Sequence, residues 1–280
     1  MLPFFFAYYD RFVDRYIVFD DGSTDGSIEL LTAHPKVDLR RRAPYEDPDS
    51  IVASGLAVFN NAWKESRGRA DWVIFTDIDE HLVHERGLDV YLDRCAALGV
   101  TLIPALGFQM VSETFPVFRP GIQLQREFTQ GVPWVQMNKL SVFSPDAIEE
   151  TNYAPGRHTA TPVGRLLLPP SDELRLLHYK YMGRAETQTR HEAFRERLRA
   201  RDLANGWGHK YMWSAEDLSK DWDAMAARLV DVANLRPDDL LAIPRWWSGL
   251  DRAVETGPDR GDRPEGETEM TGDRIAISPI

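Results

Sequence analysis

The chain has 280 residues, 43% of them hydrophobic and 28% charged, which is enough to bury a full core and ordinary for a globular protein. Its formal net charge of −11 argues against nucleic acid or an anionic membrane surface as the main partner, so an anionic substrate needs a local cation, from a metal or from clustered Arg and Lys. A single cysteine, Cys95, excludes an intrachain disulfide and fits a reducing compartment, and no apolar run is long enough to span a bilayer.

Pro3 is tolerated in the first turn of a short helix over residues 3–12. This apolar opening has neither a basic leader nor a small-residue cleavage site, so it does not read as a signal peptide, and a cytoplasmic location is expected. Residues 16–19 are too short and too uniformly apolar for an amphipathic helix and read as a buried strand. Ser23 or Thr24 is expected to cap the next helix, with Asp25 in its first turn and Ile28, Leu30 and Leu31 on its inner face. Residues 37–40 read as a strand, and 49–66 as a helix carrying Ile51, Leu56, Phe59 and Trp63. A strand over 72–76, a helix near 88–98 and a strand near 100–105 complete an alternation that implies an α/β fold with a mostly parallel sheet flanked by helices. From 108 to 170 Pro and Gly recur, and short strands such as 140–143 are all that stands out. Residues 174–179 are a further strand, and 186–201 a charged, half-solvated helix. Residues 256–274 are dominated by Gly, Pro, Asp, Glu, Arg and Thr. A disordered tail is therefore expected over 256–280, after a main domain over 1–184 and a helical extension over 185–255.

Two acidic turns follow apolar strands. In Asp20-Asp21-Gly22-Ser23-Thr24-Asp25-Gly26-Ser27, Asp20 or Asp21 can accept hydrogen bonds from a base N–H or a ribose hydroxyl, and Gly22 lets a ligand approach the backbone. Ser23, at the expected helix start, would favour an anion. A calcium loop starting at Asp21 is rejected, because its twelfth position is Thr32 where a bidentate Glu is required. In Asp77-Ile78-Asp79-Glu80, an extended chain would aim Asp77 and Asp79 the same way. Paired carboxylates of this kind suit Mg²⁺ or Mn²⁺, whose remaining positions take phosphate oxygens. In open α/β sheets, ligands bind at such carboxyl ends of strands.

In order and at this spacing, the Asp-Asp-Gly-Ser-Thr-Asp-Gly-Ser turn and Asp71-Trp72-Val73-Ile74-Phe75-Thr76-Asp77-Ile78-Asp79-Glu80 resemble the family 2 glycosyltransferases. The resemblance covers residues 16–82 and extends more loosely to about 183. It implies a GT-A fold, a nucleotide-diphosphate sugar donor with uridine as the base, and a divalent Mn²⁺ or Mg²⁺ held by the Asp-x-Asp motif. Asp21 is then expected at the base, and Asp77 and Asp79 at ribose and metal. A late histidine often completes the metal shell in such folds, and His178 is the first candidate, His158 the second. Lys139, Lys180 and Arg184 are candidates for phosphate; Trp134, Tyr153, Trp207 and Trp213 could stack on sugar rings, but core packing is the expected role for each. An inverting transferase needs a carboxylate base for the acceptor hydroxyl, and Glu113 is the candidate, although the family's usual Glu-Asp pair is not evident. The expected acceptor is a cell-surface glycan or a lipid-linked molecule.

The family also opens with a strand ahead of the first helix, whereas this sequence begins directly in that helix, so the strand is either absent or lies upstream. The expectation is a nucleotide pocket open on one side and a central strand with an exposed edge. This departure favours a non-catalytic nucleotide- or glycan-binding domain as the alternative. A haloacid dehalogenase-type phosphatase fits less well, because Glu80 follows Asp79 where that chemistry has Thr or Val after its second Asp.

Overall fold

The computed structural model describes residues 1–254 and 272–279, and the part of the expected tail at 256–271 lies outside the described residues. The chain runs through α1 (Leu2–Tyr9), β1 (Arg15–Asp20), α2 (Ser27–Ala33), β2 (Val37–Arg41), α3 (Ile51–Asn61), β3 (Ala70–Phe75) and β4 (Glu80–Val83). It continues with α4 (Leu88–Ala97), the long β5 (Leu102–Ser112), α5 (Leu124–Glu127), β6 (Gln130–Pro133), β7 (Lys139–Phe143), a ribbon of β8 (Ile148–Glu150) and β9 (Val163–Gly164), and β10 (Arg175–Met182). Then come α6 (Arg184–Arg197), α7 (Ala200–Ala204), α8 (Ala215–Ala226), β11 (Val230–Asp231) and β12 (Asp273–Pro279).

These elements build an α/β fold around one curled sheet of order β11-β6-β5-β7-β3-β12-β1-β2, with β10 joining β5 and β4 joining β10. The run β3-β12-β1-β2 is parallel throughout. The β3-β7-β5-β6 run is antiparallel, and β10 pairs parallel to β5. In the parallel half successive side chains serve opposite faces. Ile17, Phe19, Val73, Phe75, Ile275 and Ile277 fill one core layer, and Tyr16, Val18, Trp72, Ile74 and Ala276 the other. Both faces are covered, which is why these strands read as continuous apolar runs.

β12 corrects two expectations at once. Residues 273–279 belong to the sheet and not to a disordered tail, and they lie between β1 and β3, hydrogen-bonded to both. The position beside β1 that would have been an exposed edge is therefore filled from the far end of the chain. Because the four strands run parallel, their carboxyl ends share one margin of the sheet. The two acidic turns face that margin with one strand between them, about 10 Å apart at a spacing of about 4.8 Å per strand.

Other differences are local. α2 starts at Ser27 behind Gly26, whose φ is 82°, so neither Ser23 nor Thr24 caps it. The charged helix is broken: α6 stops at Arg197, Leu198 is extended, and α7 restarts at Ala200. Asp202, fully buried, accepts from the backbone of Ile51 (3.0 Å), Val52 (3.2 Å) and Arg199 (3.0 Å), so one carboxylate caps both α3 and α7. Through it the 185–255 stretch is tied to the first half, and its Val232, Ile243 and Trp247 enter the main core. Among the described residues no helix is long and apolar enough to cross a membrane.

Candidate functional site

At the first acidic turn the Asp20 carboxylate accepts from the backbone N–H of Gly22 (2.8 Å) and Ser23 (3.0 Å), closing the turn on itself. Burial pushes the Asp20 carboxyl up, but the hydrogen bonds from Ser23 and Gly22 outweigh it and leave the group below the ordinary range. Asp21 is held between two guanidinium groups, Arg42 at 3.1 Å and Arg197 from α6. A cavity of about 630 Å³ opens here, lined by Asp20, Asp21, Ser23, Leu39, Arg40 and Arg42 among others. It lies at the carboxyl ends of β1 and β2, since Asp20 pairs in register with Arg41.

The second turn differs from the extended segment expected. Glu80 N–H donates to the Asp77 carbonyl at 3.0 Å, so residues 77–80 form a tight turn, and the two-residue alternation does not apply. Behind the turn lies a buried charge network. Glu80, fully buried, binds the Lys139 ammonium through Oε1 and Arg157 through Oε2 at 2.7 Å, and Oε2 also accepts from Asp77 N–H at 3.1 Å. Arg157 donates further to the Phe75 carbonyl at 3.0 Å, the last residue of β3, and approaches Asp77 at 3.5 Å. Lys139 lies 3.8 Å from Asp77. Burial pushes the Glu80 carboxyl up, but Lys139 and Arg157 overcome it and hold the group far below the usual range. Partial burial and the Glu80 charge push Asp77 upward. The network fixes the backbone of the turn against β3 and β7.

The far side of the turn meets β10. Tyr179 N–H donates to the Asp79 carbonyl at 2.7 Å, and His178 Nε2 lies 3.6 Å from Asp79 Oδ2. The other ring nitrogen, Nδ1, lies 2.9 Å from Gln109 Oε1. The Gln109 amide nitrogen is committed as a donor to the carbonyls of Met110 (3.1 Å) and His178 (3.0 Å). Its oxygen therefore accepts, Nδ1 of His178 carries the proton, and Nε2 presents a lone pair to a carboxylate. Burial lowers the His178 pKa to about 4, which keeps the ring neutral near pH 7. In that neutral tautomer the Nε2 lone pair faces the Asp79 carboxylate across 3.6 Å.

The remaining expected residues separate into those near this point and those elsewhere. Lys180, two residues past His178, lines a second cavity of about 190 Å³ together with His158, His178, Gln109 and Trp134. His158 is exposed, and its Nδ1 pairs with the Gln136 carbonyl. Lys139 is 4% exposed and spent on Glu80, so it does not face a phosphate. Glu113 lies just past the end of β5, where Ser112 pairs with Met182, whereas His178 pairs with Gln109. That is about 13 Å of strand away from His178. Glu113 lines neither cavity. It binds Arg184 (3.1 Å) and the Trp222 indole N–H (3.1 Å), which hold its carboxyl below the ordinary range, the opposite of what a general base needs. Arg184 also pairs with Asp223 at 2.9 Å. Tyr153 is buried and donates to the Leu140 carbonyl at 2.9 Å, a core role.

Three residues of the site were not given roles from sequence: Glu80, Arg157 and Gln109. Glu80 adjoins the Asp-x-Asp motif, and Arg157 sits in the Gly156-Arg157-His158 segment, but their pairing across 77 positions has no local signal. Arg157 adopts φ 56°, unusual for a side-chain-bearing residue. Gly156 before it has φ 71°, and a Cβ there would stand 2.5 Å from the His158 ring. Among the described residues, no group of three or more His, Cys, Asp or Glu is gathered in a form that could hold a metal ion. The chain matches no protein-family model, and no curated protein matches it.

Proposed function

We propose that the chain is a metal-dependent glycosyltransferase of GT-A type, moving a sugar from a nucleotide-diphosphate donor to a glycan or lipid-linked acceptor. The observation that carries the reading is the placement of His178 Nε2 3.6 Å from Asp79 Oδ2, with the other ring nitrogen held by Gln109. A cation between them would be held by both. Fixing the Nε2 lone pair through a partner on Nδ1 is how ligating histidines are commonly oriented. One carboxylate and one neutral imidazole leave most positions to phosphate oxygens and water, as Mn²⁺ and Mg²⁺ sites do. When bound, such a metal would neutralise the charge that develops on a departing diphosphate.

The chain's own residues supply the rest. The cavity at Asp20–Ser23 gives the nucleotide a place on the same margin of the sheet, with Arg40 and Arg42 in its wall. The Glu80–Lys139–Arg157 network holds the turn that carries Asp79, while Gln109 holds His178. β12 closes the sheet between the two turns.

The test is a thermal-shift titration with UDP, UDP-sugars and GDP, each with and without Mn²⁺. A nucleotide that binds the folded state raises Tm by mass action, and Asp79→Ala and His178→Ala are each expected to abolish the metal-dependent part of the rise. Absence of any nucleotide-dependent shift with any divalent metal overturns the reading. A second reading, donor binding without transfer, draws on Glu113, which lies away from both cavities with its carboxyl held low. Release of free sugar or glycoside product from a bound donor rules it out.

A further inference from the structure

The cavity of about 190 Å³ beside His178 is built by two parts of the chain. Lys180 and Tyr181 come from β10 and Trp134 from the loop after β6, whereas His191, Lys210 and Tyr211 come from the helical region that follows β10. Its walls combine aromatic faces with ammonium groups. Lys210 Nζ lies 4.6 Å from the centre of the Trp134 ring, and Lys180 Nζ lies 4.1 Å from that of Tyr211 and donates to the Tyr211 hydroxyl. In a chain of net charge −11, a pocket lined this way has the opposite local sign.

One nearby acid, Asp221, is already engaged. Asp221 accepts from the Tyr181 hydroxyl at 2.5 Å and lies 3.6 Å from Lys210, and Asp79 faces His178. Among the described residues no carboxylate pairs with Lys180. One polar atom also lacks a partner: His191 is 5% exposed, lines the cavity, and its Nε2 is buried with no hydrogen bond among the described residues. An unpaired buried nitrogen costs free energy unless a ligand or water meets it.

We infer that this cavity takes a single sugar ring bearing an anionic group, carboxylate or phosphate, with Lys180 binding the anion and Trp134 packing against the ring. The volume admits one ring and little more. Amphipathic aromatic faces suit the C–H side of a pyranose, and an ammonium lacking a counter-ion gains most from an anion in a partly desolvated site. The inference rests on the transferase reading only in taking this ring for the acceptor, whose attacking hydroxyl would lie beside the Asp79–His178 point.

The test is tryptophan fluorescence of the full chain, without metal or nucleotide, titrated with methyl β-D-glucuronide, glucose 6-phosphate and methyl β-D-glucoside. At least one anionic sugar is expected to bind ten-fold or more tightly than the neutral glycoside, and the carboxylate and phosphate arms identify which anion is read. Lys180→Met is expected to erase that preference, and Lys180→Arg to retain it, with circular dichroism confirming the fold of both. If Lys180→Met does not fold, loss of the preference between 50 mM and 500 mM salt in the unmodified chain stands in for it. Equal affinity for charged and neutral sugars, no binding, or a preference unchanged in a folded Lys180→Met overturns the inference. Because no nucleotide is present, a failure here leaves the nucleotide titration untouched, and the converse also holds.

Discussion

Glu80 shows how much a single residue can organise. Its carboxylate is shared by Lys139 and Arg157 and receives the Asp77 N–H, so the turn, β3 and β7 all converge on it. A buried pair is expensive to assemble, and losing one partner strands the others. Glu80→Gln leaves two cations facing one partly exposed carboxylate, and a loss of about 3 kcal/mol is expected in urea unfolding followed by circular dichroism. A loss below about 1 kcal/mol would mean that water or Asp77 takes over the role. The same residues show where sequence reading stops. Asp79 and His178 were nominated by residue type, and the structure brings them within 3.6 Å of each other although His178 lies in the middle of β10. Lys139 was misread because a lysine's partner, and therefore its availability to phosphate, is set by burial. Asp77 was placed correctly at the turn, but the turn itself alters which way its carboxylate points.

At the scale of elements, β12 carries the largest consequence. Ile275, Ala276 and Ile277 are buried between β1 and β3, with Ile277 paired to Ile17 on one side and Phe75 on the other. Truncating such a core residue typically costs 2–5 kcal/mol. Ile277→Ala is therefore expected to lower stability by about 3 kcal/mol in chemical denaturation, and to expose the flanking strand edges to aggregation, visible as light scattering on heating. A cost within about 0.5 kcal/mol, the level of a surface change, would place this strand outside the cooperative core. β1 and β3 were readable because their apolar runs have no other plausible form. β12 was not, because its short Ile-Ala-Ile core follows a polar, glycine-rich stretch, and a strand is stabilised by its partners more than by its own residues. The long α6 was overread for a related reason: helical composition continues past Arg197, but Leu198 turns extended and Asp202 caps a new helix at Arg199.

For the whole molecule, three histidines are buried neutral. Burial lowers the pKa of His81 to about 3 and those of His178 and His191 to about 4, against about 6.5 in the unfolded chain. Each folded value is depressed, so the stability is fully present above pH 6.5 and is lost as the pH falls toward 4, while the unfolded state takes up protons that the folded state refuses. Asp77 is shifted upward and offsets part of this. The expected slope near pH 5 is about 3 kcal/mol per pH unit. Urea midpoints at pH 7.5, 6 and 5 measure it, and His191→Gln should flatten the curve. A midpoint independent of pH over that range would show that these rings are hydrated. The Glu173 carboxyl, held at about 2 by the hydrogen bond from His84 with help from Ser171 and Arg94, adds its own loss only below that window.

By itself the sequence determined the α/β class, the strands β1 and β3, and the two acidic turns at their carboxyl ends. It could do so because apolar runs of this length have one stable form, and charge collects where they stop. The tertiary structure alone decided that residues 273–279 fill the gap between those strands, that Lys139 belongs to Glu80, and that His178 turns a lone pair toward Asp79. Those outcomes depend on pairing between residues 59 to 260 positions apart, and contacts at that separation exist only once the chain has packed.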